Sequence, residues 1–312
     1  MSRIAVLKGG RSLERQVSLN SGARVEESLR RLGHEVIEVD VGHDLVERLS
    51  SDRPDLAFVV LHGRDGEDGT VQELLEVLAV PYTGSRVSAC IRASDKVLAK
   101  HAMRDAGIPT PDFFAFSETA FRNLGAAQAL PAMSSRLSFP IVVKPASQGS
   151  ALGIKFARTA ADVPTALIAA FSYDKKVLLE RYVAGRELAV SILEQDGEPR
   201  VLPIVEAVPE QESFYDFESR YEIGRTRFIC PAELDADVTG RVQELALQAF
   251  GLLGCSVFAR VDLMLDTETS EPFVLEVNPI PGLTETSLLP QAADAAGIGF
   301  DDLIARIIAR AS

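Results

Sequence analysis

Two short segments near the C-terminus, Arg260-Val-Asp262 and Glu276-Val-Asn278, carry side chains suited to a hard cation. Residues two apart on a strand share a face, so Arg260 sides with Asp262, and Glu276 with Asn278. Between them, Asp266-Thr-Glu-Thr-Ser-Glu-Pro272 reads as a turn. A turn symmetric about Thr269 sets Asp262 opposite Glu276 and Arg260 opposite Asn278. One sheet face then gathers two carboxylates, an amide and a guanidinium. Mg²⁺ takes such oxygen donors, completed by phosphate oxygens. A solvated polar hairpin is the plainer alternative. The apolar neighbours Val261, Leu263, Leu275 and Val277 weigh against it, because they predict a buried opposite face.

A second segment, Val142-Val-Lys144-Pro, is followed by the small, flexible run Ser147-Gln-Gly-Ser-Ala-Leu-Gly153. A strand ending in lysine, then a Gly/Ser loop, can wrap backbone N–H groups around phosphate oxygens. The spacing is not that of a Walker A loop. Alone it fits an ordinary loop equally well; beside the carboxylate hairpin it suggests an ATP–Mg²⁺ site. Two more segments follow strands near the N-terminus, at the strand ends where open α/β sheets bind ligands. Gly9-Gly-Arg-Ser-Leu-Glu14-Arg-Gln-Val-Ser18 offers Glu14 either to a substrate ammonium or, more plainly, as a helix N-terminal charge. Its glycines do not match the G-x-G-x-x-G dinucleotide pattern. His62 opens the acidic loop His62-Gly-Arg-Asp-Gly-Glu67-Asp-Gly69 and would need a partner to act as a base. Finally, Ser213-Phe-Tyr215-Asp-Phe-Glu-Ser-Arg220-Tyr221 is an irregular aromatic loop, suited to a lid or simply packed on itself.

The elements that must position these groups alternate in type. Short apolar strands are predicted at Ile4–Lys8, Val36–Val39 and Leu56–Leu61, with helices over 19–32 and 71–80. This is a βαβ rhythm implying a parallel sheet. A helix over 95–106 leads through Pro109 and Pro111 to a middle unit. That unit holds a strand at 139–145, a helix over 161–171 and a strand at 177–182. Strands at 187–193, 200–208, 257–265 and 273–277 follow, with a helix over 236–253 among them and two helices to close. The 312 residues carry a net charge of −13, which disfavours a nucleic-acid partner. No apolar run is long enough for a membrane span. The lack of a separate signal region ahead of Ile4 argues against export, and three widely spaced cysteines suit a reducing compartment.

Taken together, the segments 9–22, 61–72, 81–85, 94–96, 142–153, 178–187, 214–221, 259–265 and 275–290 resemble, in order and over essentially the whole chain, the D-alanine–D-alanine ligases of the ATP-grasp superfamily. The resemblance implies an α/β, three-domain ATP-grasp fold with an N-terminal parallel-sheet domain (1–90), a central subdomain (91–177) and a C-terminal domain (178–312). It implies a cytoplasmic homodimer that makes a peptidoglycan precursor from D-alanine and ATP. By this likeness Lys96 and Lys144 contact ATP phosphates, and Glu180, Tyr182, Val183 and Glu187 line the adenine and ribose pocket, with Arg220 also on the ATP side. Asp262, Glu276 and Asn278 hold two Mg²⁺ ions, which Mn²⁺ can replace. Glu14 takes the first substrate's ammonium with support from Ser150 and Tyr221. His62, Arg260 and Gly282 surround the reacting carboxylate, and Ser287 and Leu288 hold the second substrate's carboxylate. The chain departs from the usual pattern at Ala151, Arg220 and Pro279, where the family favours Ser, Lys and Thr. Another acceptor, D-serine or D-lactate, and a non-catalytic ATP-binding regulator are the alternatives; Tyr221 argues against D-lactate.

Overall fold

The computed structural model of the chain describes residues 1–209 and 226–311. Three sheets account for its strands. The first is parallel, in the order β2-β1-β3, from β1 (Arg3–Lys8), β2 (Glu35–Asp40) and β3 (Leu56–Val59). Its hydrophobic strands need cover on both faces. Helix Arg15–Arg31 supplies one, turning Val25 and Leu29 into the core. That helix starts earlier than the apolar spacing suggests, because its first turn is polar: Arg15 reaches across to Asp40 at the end of β2 in a bidentate pair of 2.7 and 2.6 Å.

The second sheet, β4-β7-β5-β6, is built from β4 (Phe113–Ser117), β5 (Ile141–Pro145), β6 (Lys155–Ala157) and β7 (Lys176–Arg181). Helix Val163–Phe171 packs on it through Ala166, Leu167 and Ala170. The boundary drawn at 177/178 falls inside β7, which pairs with β4 and β5 on its two sides.

The third sheet holds β8 (Gly185–Gln195), β9 (Glu198–Val201), β10 (Val205–Pro209), β11 (Thr226–Ile229), β12 (Phe258–Asp266) and β13 (Pro272–Asn278). The single strand expected over 200–208 is two strands on one edge of β8, broken around Pro203. Proline has no N–H to give a ladder, and only Leu202 bridges the break, donating to Ser191 O at 2.9 Å. Helix Ala236–Leu253 and helix Lys96–Asp105 cover one face of this sheet, and helices Leu288–Ala295 and Phe300–Ala309 the other.

The hydrophobic cores follow a different division from the sheets. Ile4, Leu29 and Phe58 from the start of the chain share one cluster with Leu193, Phe258, Leu289 and Ile304 from its end. The middle sheet has a core of its own, around Ile141, Val143 and Leu179. The N-terminal sheet is therefore welded to the last one, while the middle sheet is packed independently. No helix of the described residues is long and apolar enough to cross a membrane.

Leu29→Ala is expected to cost about 3 kcal/mol, since Leu29 is fully buried in the shared cluster. Hydrogen exchange should then quicken in both β1–β3 and helix Phe300–Ala309, with β4–β7 little changed. Loss confined to the first sheet would contradict a shared core.

Candidate active site

The β12–β13 hairpin sets the site. Arg260 lies opposite Asn278, and Asp262 opposite Glu276. Beyond that point the register shifts: Leu263 pairs with Val274, leaving Leu275 as the extra residue of a bulge. This corrects the expectation that Leu275 lies on the buried face. Val274 is fully buried, whereas Leu275 is half-buried and lines a cavity.

That cavity, of 820 Å³, opens between the second and third sheets. Its wall includes Lys96, Lys144, Glu180 and the strand-to-strand connection at Tyr182 and Val183, with Glu187, Asp262 and Glu276 across from them. A second, smaller cavity of 100 Å³ adjoins it. Glu14, His62, Ser150, Arg260, Asn278, Gly282, Ser287 and Leu288 all line this smaller space. Lys96, Gln148 and Glu276 line both. Arg220 and Tyr221, with the rest of the proposed lid, lie outside the described residues.

At the junction, Lys96 Nζ sits 2.8 Å from Glu276 Oε2 and donates to Gln148 O at 2.8 Å. Lys96 opens its helix, whose first turn is fixed by Asp95 accepting from Val97 N and Leu98 N. Burial alone would lower the Lys96 pKa, but Glu276 outweighs it and keeps it above the ordinary value. Arg260 grips Asp262 through two bonds of 2.6 and 2.7 Å. Asn278 Oδ1 accepts from Ile280 N at 2.9 Å. These donors fit a hard cation: two carboxylates and an amide oxygen on one sheet face, each carboxylate meanwhile held by a cation. No group of three His, Cys, Asp or Glu placed to hold a metal ion stands among the described residues. A hexacoordinate ion would therefore need phosphate oxygens as well.

Lys144 Nζ lies 2.6 Å from Glu180 Oε1, and Lys100 Nζ lies 2.7 Å from Glu180 Oε2. Glu180 is buried, yet the two lysines overcome the penalty of burial and hold its pKa down. Lys100 was not singled out from the sequence. Its only trace there is its position one helical turn beyond Lys96.

In the smaller cavity, Glu14 is the residue that precedes helix Arg15–Arg31, but its side chain does not cap that helix. Its carboxylate instead accepts a hydrogen bond from Ser150 of the middle unit. Gly63 and Gly149 close around it: a Cβ would stand 2.5 Å from Glu14 Oε2 at Gly63, and 2.9 Å at Gly149. Gly63 also holds φ +70°. Burial, reinforced by the charge of Glu67, raises the Glu14 pKa. The partners that the sequence could not supply for His62 are present. Nδ1 lies 3.1 Å from Ile280 O and 3.5 Å from Glu67 Oε1, and Nε2 lies 3.4 Å from Ser21 Oγ. Ser21 Oγ itself accepts from Leu283 N. Its hydroxyl proton can then go to Nε2, assigning the Nδ1–H tautomer to a neutral His62. Ser287 Oγ accepts from Thr284 N at 3.0 Å beside the start of helix Leu288–Ala295. A Cβ on Gly282 would meet that oxygen at 2.6 Å.

Two sheets gripping a deep cleft, with lysines on one side and a carboxylate hairpin on the other, define an ATP-grasp enzyme. Residues 102–309 match the family described as D-ala D-ala ligase C-terminus, and 41–85 match D-ala D-ala ligase N-terminus. A D-alanine--D-alanine ligase of Moorella thermoacetica is 42% identical over 98% of each chain, and one of Gloeobacter violaceus 44% identical over 99% of each. The crystal structure of the Bacillus anthracis D-alanine--D-alanine ligase complexed with ATP superposes with a TM-score of 0.82 at 34% identity, covering 99% of this chain and 97% of that one. The VanG D-Ala:D-Ser ligase of Enterococcus faecalis gives 0.82 at 27% identity, covering 98% of each. The chain belongs to the D-alanine–D-alanine ligase family.

The raised pKa of Glu14 has a sign that can be tested. A folded-state pKa above the unfolded one means the group's stabilising contribution is complete below the ordinary carboxyl range and is lost as pH rises through the raised value. At pH 7, above the ordinary carboxyl range, the buried Glu14 therefore costs the empty protein stability. Glu14→Gln is expected to raise the melting midpoint by about 2 °C at pH 7, with the gain fading toward pH 4 in a melting series. An unchanged or lower midpoint at pH 7 would refute this.

Proposed function

We propose that this protein joins two D-alanines into D-alanyl-D-alanine, converting ATP to ADP and phosphate through an acyl phosphate. The observation that carries the reading is the common wall of the two cavities: Lys96 and Glu276 face both. A triphosphate in the larger space would end where a small carboxylate in the other begins. That contiguity is what phosphoryl transfer to a carboxylate needs.

In this reading, Lys96 and Lys144 bind phosphate oxygens while Glu180, Tyr182, Val183 and Glu187 form the nucleoside pocket. Asp262, Glu276 and Asn278 would hold Mg²⁺, which when bound supplies charge neutralisation for the transferring phosphoryl group. For both carboxylates to serve, the Arg260–Asp262 and Lys96–Glu276 pairs must open. Arg260 and Lys96 then turn to the reacting groups. Glu14 binds the ammonium of the first D-alanine, steadied by Ser150. The carboxylate oxygen of that D-alanine attacks the γ-phosphorus, and ADP departs. Ser287 and the N–H of Leu288, at a helix N-terminus, receive the carboxylate of the second D-alanine. Its amine, once deprotonated, attacks the acyl carbon. Arg260 and the Gly282 N–H face the developing oxyanion, where one donor is typically worth about 3 kcal/mol, and His62 packs beside the reacting carboxylate. The C–O bond to phosphate then breaks. Tyr221 and Arg220 are assigned to a lid that excludes water from the acyl phosphate. The smaller cavity, lined by polar groups and narrower than the nucleotide space, favours small amino acids over bulky ones. We further infer a cytoplasmic homodimer.

Phosphate release from ATP should require D-alanine, with a product mass equal to two alanines less one water. Release without D-alanine, or a mixed product when D-serine competes at equal concentration, would overturn the assignment of substrates. Glu276→Gln should lower turnover by at least about 100-fold, and near-normal activity at limiting Mg²⁺ would remove Glu276 from the metal site.

A further inference from the structure

We propose that Lys100, a residue behind the cavity wall, is a positioning residue that keeps the phosphate end of the nucleotide site positive by sharing Glu180 with Lys144. The inference rests on the reading of the larger cavity as an ATP site.

Lys144 and Glu180 both line that cavity, and they are only 2.6 Å apart. Taken by themselves they are a closed ion pair, with little charge left for a polyanion. The other lysine assigned to phosphate, Lys96, is likewise engaged with Glu276. Lys100 changes this balance. Its side chain has no solvent exposure, and its ammonium contacts the second oxygen of the same carboxylate. Two cations on one carboxylate leave one positive charge over. Lys144, the member nearer the cavity, is the one placed to present it.

The position of Lys100 is fixed from behind. It donates to Thr110 Oγ1, and that hydroxyl donates to Val274 O at 2.7 Å, on the strand that also carries Glu276. The ring of Phe113 packs 5.2 Å from the ammonium. The other charges acting on Lys100 are Lys144, which repels it, and Asp112, which favours its charged form. Burial lowers its pKa to about 8, so the ammonium is still protonated at neutral pH. A buried lysine kept only for packing would not need a carboxylate already paired with a cavity-lining cation.

The test is equilibrium binding of adenosine, ADP and ATP, with Mg²⁺, to the full chain. Wild type should bind more tightly with each added phosphate; failure to do so would refute the nucleotide site itself. Lys100→Met is expected to weaken ATP by about tenfold or more while changing adenosine less than about twofold. Lys100→Arg, which keeps the charge, should hold ATP within about threefold of wild type. In a Glu180→Gln background, where Lys144 no longer faces a carboxylate, adding Lys100→Met should cost ATP binding much less. Equal losses for adenosine and ATP, an unchanged ATP-to-adenosine ratio, or the same loss in both backgrounds would overturn the proposal. Should Lys100→Met not fold, Lys100→Gln is judged by the same ratios, and a loss in Lys100→Arg as large as in Lys100→Gln would count against a role for charge.

Discussion

The arrangement of the site depends on the register of one antiparallel pair. Because Asp262 stands opposite Glu276, and Arg260 opposite Asn278, four polar side chains share one face of the β12–β13 hairpin. A slip of one residue would send each set to the other side of the sheet. The register is held by burial: Val261, Leu263 and Val277 sit in the core beneath helix Ala236–Leu253. The bulge at Leu275 lets the strand keep that register at the site while restoring the apolar alternation beyond it. It also donates a leucine to the wall of the larger cavity.

A second constraint is how the cores are divided. The smaller cavity takes its residues from the first sheet, from the loop after β5 and from the segment after β13. The first and last of these rest on a single shared core, so His62 and the 279–288 segment keep their distance through packing. His62 to Ile280 O and Arg24 to Leu283 O add polar ties across the same boundary. Polar ties from the middle sheet to the rest include Ser150 to Glu14, Lys96 to Gln148 O and Lys100 to Glu180. Each of those contacts involves a residue of the proposed chemistry.

Much of this was legible in the chain itself. The apolar alternation around Arg260–Asp262 and Glu276–Asn278 gave the hairpin and its facing pairs, and the βαβ rhythm gave the first sheet. What escaped has physical reasons. A bulge leaves no mark in an alternating pattern, so Leu275 read as core. The break at Pro203 splits a largely apolar run, and the proline was its one mark in the sequence. The helix from Arg15 opens with a polar turn whose worth lies in a distant aspartate, Asp40. Lys100 and the distant partners of His62, namely Ser21 and the carbonyl of Ile280, are tertiary neighbours. Nothing in local spacing distinguishes a lysine buried against Glu180 from one in solvent.

The ion pairs at the junction suit the proposed entry of a polyanion into so acidic a chain. Asp262 and Glu276 are each matched by an internal cation before any ligand arrives. In the proposed reading, an incoming triphosphate would meet paired carboxylates at the junction, where a bare pair would repel it. On the same reading, loading would be an exchange of counterions: Asp262 and Glu276, once they held a metal, would free Arg260 and Lys96 for the substrates. In that reading the resting protein would keep these cations paired rather than exposed, in a chain whose net charge is −13.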